Sequence, residues 1–145
     1  MNVLVTSEVL EDAIAEISME PTRRFGFDTE TYGVQHDSKL FAIQISTATT
    51  TYYFNYHDYE DGTPTLPRES IGRLRGIFQD ARNLWYISNA KFDLRRISIE
   101  GIAITGDVHC TVMCERFINN QYLQHGLAAA LKRRGHAKDD AVEKY

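Results

Sequence analysis

Cysteine is scarce in this chain: its 145 residues include two, Cys110 and Cys114. They lie four apart, outside the Cys-x-x-Cys or Cys/His spacing of a zinc site. That excludes a disulfide framework and leaves two reduced core thiols, as expected of an intracellular, cytoplasmic protein. Proline is nearly as rare, confined to Pro21, Pro64 and Pro67. Positive charge is short too, with 16 Lys and Arg against 20 Asp and Glu, a net charge of −4 and a pI near 5.7. A basic coat that binds nucleic acid nonspecifically is excluded, so any such affinity must come from local cations or a metal. The apolar runs fall well below the roughly 20 residues of a membrane helix. The stretch from Met1 to Glu8 lacks the charged start and apolar centre of a signal peptide, so neither feature is expected. What remains is an ordinary soluble composition, 43% hydrophobic and 25% charged. At this length it supports one domain, spanning 1–145, around one core.

Periodicity divides the chain. Val9, Leu10, Ala13, Ile14 and Ile17 recur at helical spacing over residues 7–19, with Ser7 placed to cap, and Pro21 ends that helix. Residues 40–45 and 52–56 are β-rich and joined by a Thr-rich connector, which predicts an antiparallel hairpin. A polar loop with Gly62, Pro64 and Pro67 follows. Residues 68–82 carry Ile71, Leu74, Ile77 and Phe78 on one helical face, and 84–87 read as a buried strand. Helices over 89–98, 107–117 and 123–133 are expected, with Asp107 as an N-cap and a short strand at 101–105. A hairpin followed by strand-helix units predicts an α/β domain with its site at the strand ends.

Two stretches carry chemistry. In Arg24-Phe25-Gly26-Phe27-Asp28-Thr29-Glu30-Thr31, alternating Phe residues mark a strand that ends in two carboxylates. Residues i and i+2 share a strand face, so Asp28 and Glu30 repel one another unless something relieves them. A divalent cation would do so; an exposed acidic turn is the plainer account. In Ser88-Asn89-Ala90-Lys91-Phe92-Asp93-Leu94-Arg95-Arg96, a helix opens directly after a buried strand. Taken singly, Asn89 caps, Phe92 packs and Asp93 favours the helix N-terminus. Jointly, the two stretches bring three carboxylates to one rim of one sheet.

The chain resembles the proofreading 3′-5′ exonuclease domain of family A DNA polymerases, in the DEDD superfamily of ribonuclease-H-like fold. Asp28 to Thr31 matches the first motif of that family and Asn89 to Asp93 the second; the likeness spans roughly 20–135 and extends through Gly106 to Thr111 and His125 to Leu131. It implies a mixed sheet with an N-terminal hairpin portion and flanking helices. It also implies two Mg2+ or Mn2+ ions held by the catalytic carboxylates Asp28, Glu30 and Asp93. Thr31, Asn89, Lys91 and Phe92 would contact the nucleic acid; Lys91, Arg95 and Arg96 would attract phosphate or, equally, form a solvated helix face. The implied partners are a single-stranded DNA 3′ end and a DNA polymerase domain, in cis or in trans, with no membrane.

The family's fourth carboxylate, in a Tyr-x-x-x-Asp motif, comes later in relatives than Tyr145. His136 and Asp140, four apart, are the local substitute. The expectation is therefore a C-terminally incomplete exonuclease domain: a fragment, a product of a split gene, or a reduced protein of a kind that suits a phage. Two rivals stand beside proofreading. One is a catalytically incomplete module that binds nucleic acid or docks on a polymerase; the other is an RNA-trimming nuclease of the ribonuclease D kind.

Overall fold

The computed structural model describes residues 1–35, 38–57 and 62–137. Its centre is a six-stranded mixed sheet in the order β1-β4-β3-β2-β5-β6. These strands are β1 (Asn2–Val5), β2 (Arg24–Thr31), β3 (Leu40–Ser46), β4 (Thr51–Asn55), β5 (Leu84–Ile87) and β6 (Asp107–Cys110). The pairs β2/β3 and β3/β4 are antiparallel, while β1/β4, β2/β5 and β5/β6 are parallel. The expected α/β fold and the β3/β4 hairpin are both present.

Register assigns each face its task, because residues paired across strands point the same way. Phe25 pairs with Trp85, Phe27 with Ile45 and Ile87, and Ile43 with Phe54. All of these belong to the core. Phe27, Phe78 and Trp85 pack with ring centroids 5.1 to 6.0 Å apart, an arrangement that adds to simple area burial. The opposite face carries Asp28, paired with Gln44, and Tyr86, paired with Gly26 and His109. This face is the more open one.

The helices are α1 (Leu10–Ser18), α2 (Arg75–Phe78), α3 (Ala90–Ile99), α4 (Thr111–Ile118) and α5 (Leu127–Arg133). Helix α1 buries Leu10, Ala13 and Ile17 as its periodicity demands; its N-cap is Val9, with no side-chain cap, so Ser7 does not cap it. The expected helix over 68–82 is instead a 3-10 turn, Arg68–Leu74, that passes into the short α2. Gly72 and Gly76 lie within it and lower its α propensity.

Five further expectations are corrected. Residues 2–5, assigned to no element, form the edge strand β1. The strand expected at 101–105 is an irregular passage that buries Ile102 in the core. The strand here is β6, so Asp107 is a strand residue and not a helix cap. Gly106 explains the shift: a Cβ there would stand 2.1 Å from the Asn83 carbonyl oxygen. Backbones that close together admit only glycine, and the approach seats Asp107 in register with Leu84. The last helix begins at Leu127, and the preceding Leu123 is fully exposed. Cys110 is half-buried and Cys114 exposed, so the pair is not a pair of core thiols, although both are free.

Candidate active site

Strand β2 outruns β5. Their pairing stops at Phe27 and Ile87, leaving Asp28 to Thr31 to project past the end of β5, while β3 continues alongside. The chain turns at that point into α3 through Asn89, which adopts the left-handed conformation (φ 55°, ψ 48°) and makes no side-chain cap bond. Asn89 is thus the N-cap by position alone, and its side chain is exposed. The sharp turn aims the first turn of α3 back at β2. Asp93 fills the edge that β5 vacates, its Oδ1 accepting bonds from the Thr29 backbone N–H (2.9 Å) and hydroxyl (2.6 Å).

Asp93 is 2% exposed. Burial pushes its carboxyl up to about 6; the negative charge of Asp28 adds to the rise and the Thr29 bonds oppose it. Asp28 is exposed and Glu30 half-buried on the open sheet face. Gln44, across from Asp28, donates its Nε2 to Glu30 Oε1 at 3.4 Å. The two acidic motifs, read separately from the sequence, meet in space through Thr29 and Asp93, 64 residues apart.

Around them, Lys91 is exposed and Phe92 half-buried. Thr31 donates its hydroxyl to the Gly33 carbonyl at 2.5 Å, which tightens the turn after β2. Arg96 differs from its expected role of drawing phosphate. It is 2% exposed, its guanidinium lies 4.6 Å above the Phe92 ring, and it donates to the carbonyls of Gln35 and Ser38 (3.0 Å to the latter). It ties the connector after β2 to α3. Thr29, Gln44 and this strut were not singled out from the sequence; the alternation that buries Thr29 between Asp28 and Glu30 was the available signal.

The carboxylates are the right kind of donor for a hard divalent cation. Among the described residues, however, no three His, Cys, Asp or Glu side chains are disposed to hold a metal ion. Asp28 and Asp93 are still near enough for the charge of one to raise the carboxyl of the other, and as oxygen donors they fit such an ion in chemistry. His136 is exposed, and Asp140 lies outside the described residues. Beyond the acidic end, the same sheet face opens into a cavity of about 280 Å³ lined by Tyr86, His109, Cys114, His125 and Ile118 among others, with α4 and α5 as its roof. No described helix is long and apolar enough to cross a membrane.

A family model for 3′-5′ exonucleases matches residues 1–133. The chain belongs to the 3′-5′ exonuclease family. Solved structures share the fold of this exonuclease domain. Escherichia coli RNase D, described as an exoribonuclease involved in structured RNA processing, superposes with a TM-score of 0.74 at 15% identity, over 100% of this chain and 36% of its own. The POL domain of Pol1 from M. smegmatis, in complex with DNA primer-template and dNTP, gives 0.72 at 18% identity over 99% and 24%. Brucella melitensis NrnC gives 0.63 at 18% identity over 83% and 56%, and it has been solved with bound Mg2+. The exonuclease domain spans between 24% and 63% of the length of the solved chains reported with it. No curated protein sequence matches it.

Proposed function

We propose that this domain removes nucleotides from the 3′ end of single-stranded DNA as the metal-dependent proofreading part of a DNA polymerase, joined to it in cis or in trans. The observation that carries the reading is the bond pair from Thr29 to Asp93, which links the strand bearing Asp28 and Glu30 to the helix bearing the third carboxylate. Asp28, Glu30 and Asp93 are the ligands in this reading, and Mg2+ or Mn2+ the cofactor. When bound, such ions activate water and stabilise a leaving oxygen. A further carboxylate, from Asp140 or a partner, would complete the set in this reading. Thr31, Asn89, Lys91 and Phe92 are the nucleotide contacts in this reading.

RNA is the alternative substrate, because RNase D shares the fold and is described as an exoribonuclease. The deciding experiment incubates 5′-labelled single-stranded DNA, and separately RNA, with Mg2+ or Mn2+ against EDTA, for the unaltered chain and Asp28→Ala. A ladder shortening from the 3′ end, removed by both EDTA and the substitution, is the expected result. Cleavage that survives Asp28→Ala defeats the assignment. If the unaltered chain binds a strand without cutting it, the domain is a binding module or awaits its fourth carboxylate.

A further inference from the structure

Three aromatic rings gather where β2, β3 and β4 end together. Tyr32 and Phe41 lie 4.9 Å apart by ring centroid, Tyr32 and His57 5.2 Å, and Phe41 and His57 5.0 Å. Each is half-buried and none belongs to the hydrophobic core. They form a satellite cluster at the surface, where core packing does not account for them.

Register places this cluster on the face of the acidic pair. Tyr32 follows Glu30 by two residues, and His57 follows Asn55 by two; Asn55 pairs with Ala42, which in turn pairs with Glu30. The β2/β3 register slips between Glu30 and Thr31, so Phe41 is the extra residue of a bulge. Bulges beside active sites re-aim a side chain, and here the ring of Phe41 meets both Tyr32 and His57. His57 is held in place: its backbone N–H donates to Asn55 Oδ1 at 3.0 Å. Gly62 lies so close to the Nδ1 edge of its ring that a Cβ there would sit 1.3 Å from Nδ1. The platform is built before any ligand arrives.

We propose that Tyr32, Phe41 and His57 form a stacking platform for one nucleobase of a single strand held at the acidic end of β2. The ligand class follows from the chemistry. Rings that are fixed, half-exposed and beside a row of carboxylates suit a flat apolar face more than a charged group, and every base offers such a face. At about 3.3 Å per residue, Tyr32 stands roughly 7 Å along the strand from Glu30. The base it meets is therefore at or next to the 3′ terminus. This inference rests on the nuclease reading and adds a subsite to it.

The test is a base-by-residue cycle on the full chain in EDTA, so that no strand is cut. Single-stranded DNA is compared with strands carrying one abasic nucleotide at each of the last positions, by fluorescence anisotropy. The unaltered chain should lose about tenfold in affinity at one position near the 3′ end. Phe41→Leu, which keeps apolar volume and removes the ring, should bind intact and abasic strands equally. Should Phe41→Leu fail to fold by circular dichroism, Tyr32→Leu reads the same loss. An abasic penalty that persists in a folded variant overturns the platform alone. No binding of any strand by the unaltered chain removes the platform's ligand, while the nuclease reading stands or falls on the ladder with Mg2+ or Mn2+.

Discussion

Asp93 holds the acidic end together at a cost. Its folded carboxyl titrates near 6, above the ordinary 3.8, because burial and the charge of Asp28 disfavour the ionised form. The folded state therefore binds this proton more tightly than the unfolded chain does. Stability is greatest while the group is protonated, falls as pH rises from about 4 to about 6, and has lost the full amount above that window. Asp93→Asn keeps an oxygen for the two Thr29 donors and removes the charge. Its melting temperature should exceed that of the unaltered chain by an amount that grows across the same window and then levels off. A difference independent of pH would show that Asp93 is not ionising against its surroundings. Exchange of an oxyanion for an amide oxygen at this one atom thus separates a site kept for chemistry from one kept for stability.

Elements are placed by close approaches as much as by pattern, and two glycines make the contrast. Gly106 lets its segment pass the Asn83 carbonyl, and a Cβ there has no room. Gly106→Ala should cost about 1–3 kcal/mol and disturb the β5/β6 register. Gly76 lies in α2, and a Cβ at its position would meet nothing within 4 Å. Gly76→Ala should stabilise by about 0.5–1 kcal/mol through helix propensity. Urea midpoints of the two variants should move in opposite directions; equal shifts would refute the close approach. The same contrast explains what the sequence made legible. The Phe25/Phe27 alternation, the β3/β4 hairpin and the strand at 84–87 declare themselves locally. Strands β1 and β6 do not, because runs of four residues carry little periodicity and the Gly106 contact is a tertiary fact. The residue types of Asp28, Glu30 and Asp93 were readable, but the Thr29 bond was not, since it joins residues 64 apart. Arg96 departs from expectation for the same reason: a cation in a helix looks solvated or free for phosphate until the distant carbonyls of Gln35 and Ser38 are found on it.

At the scale of the molecule, one sheet face is a sealed core and the other a working surface roofed at one end. That roof hangs on Glu115, which is buried and accepts bonds from Asn119, from Arg133 at 2.5 and 3.0 Å and from Arg134 at 2.8 Å. The bonds from Arg134 and Arg133 pull its carboxyl well down, to about 2. Helix α5 buries none of its own residues, so this cluster does for it what apolar packing does for α1. Glu115→Gln should raise amide exchange in Leu127–Arg133 by about tenfold or more while leaving β2 and β5 protected. Exchange that rises in all of these together would mean that α5 unfolds only with the core. At the other end of the same face, Arg96 grips Gln35 and Ser38 by their main-chain carbonyls. Such a grip is blind to side-chain identity: Gln35 and Ser38 can exchange their side chains and keep the bond to Arg96, so descendants can vary both positions without loosening the hold on α3.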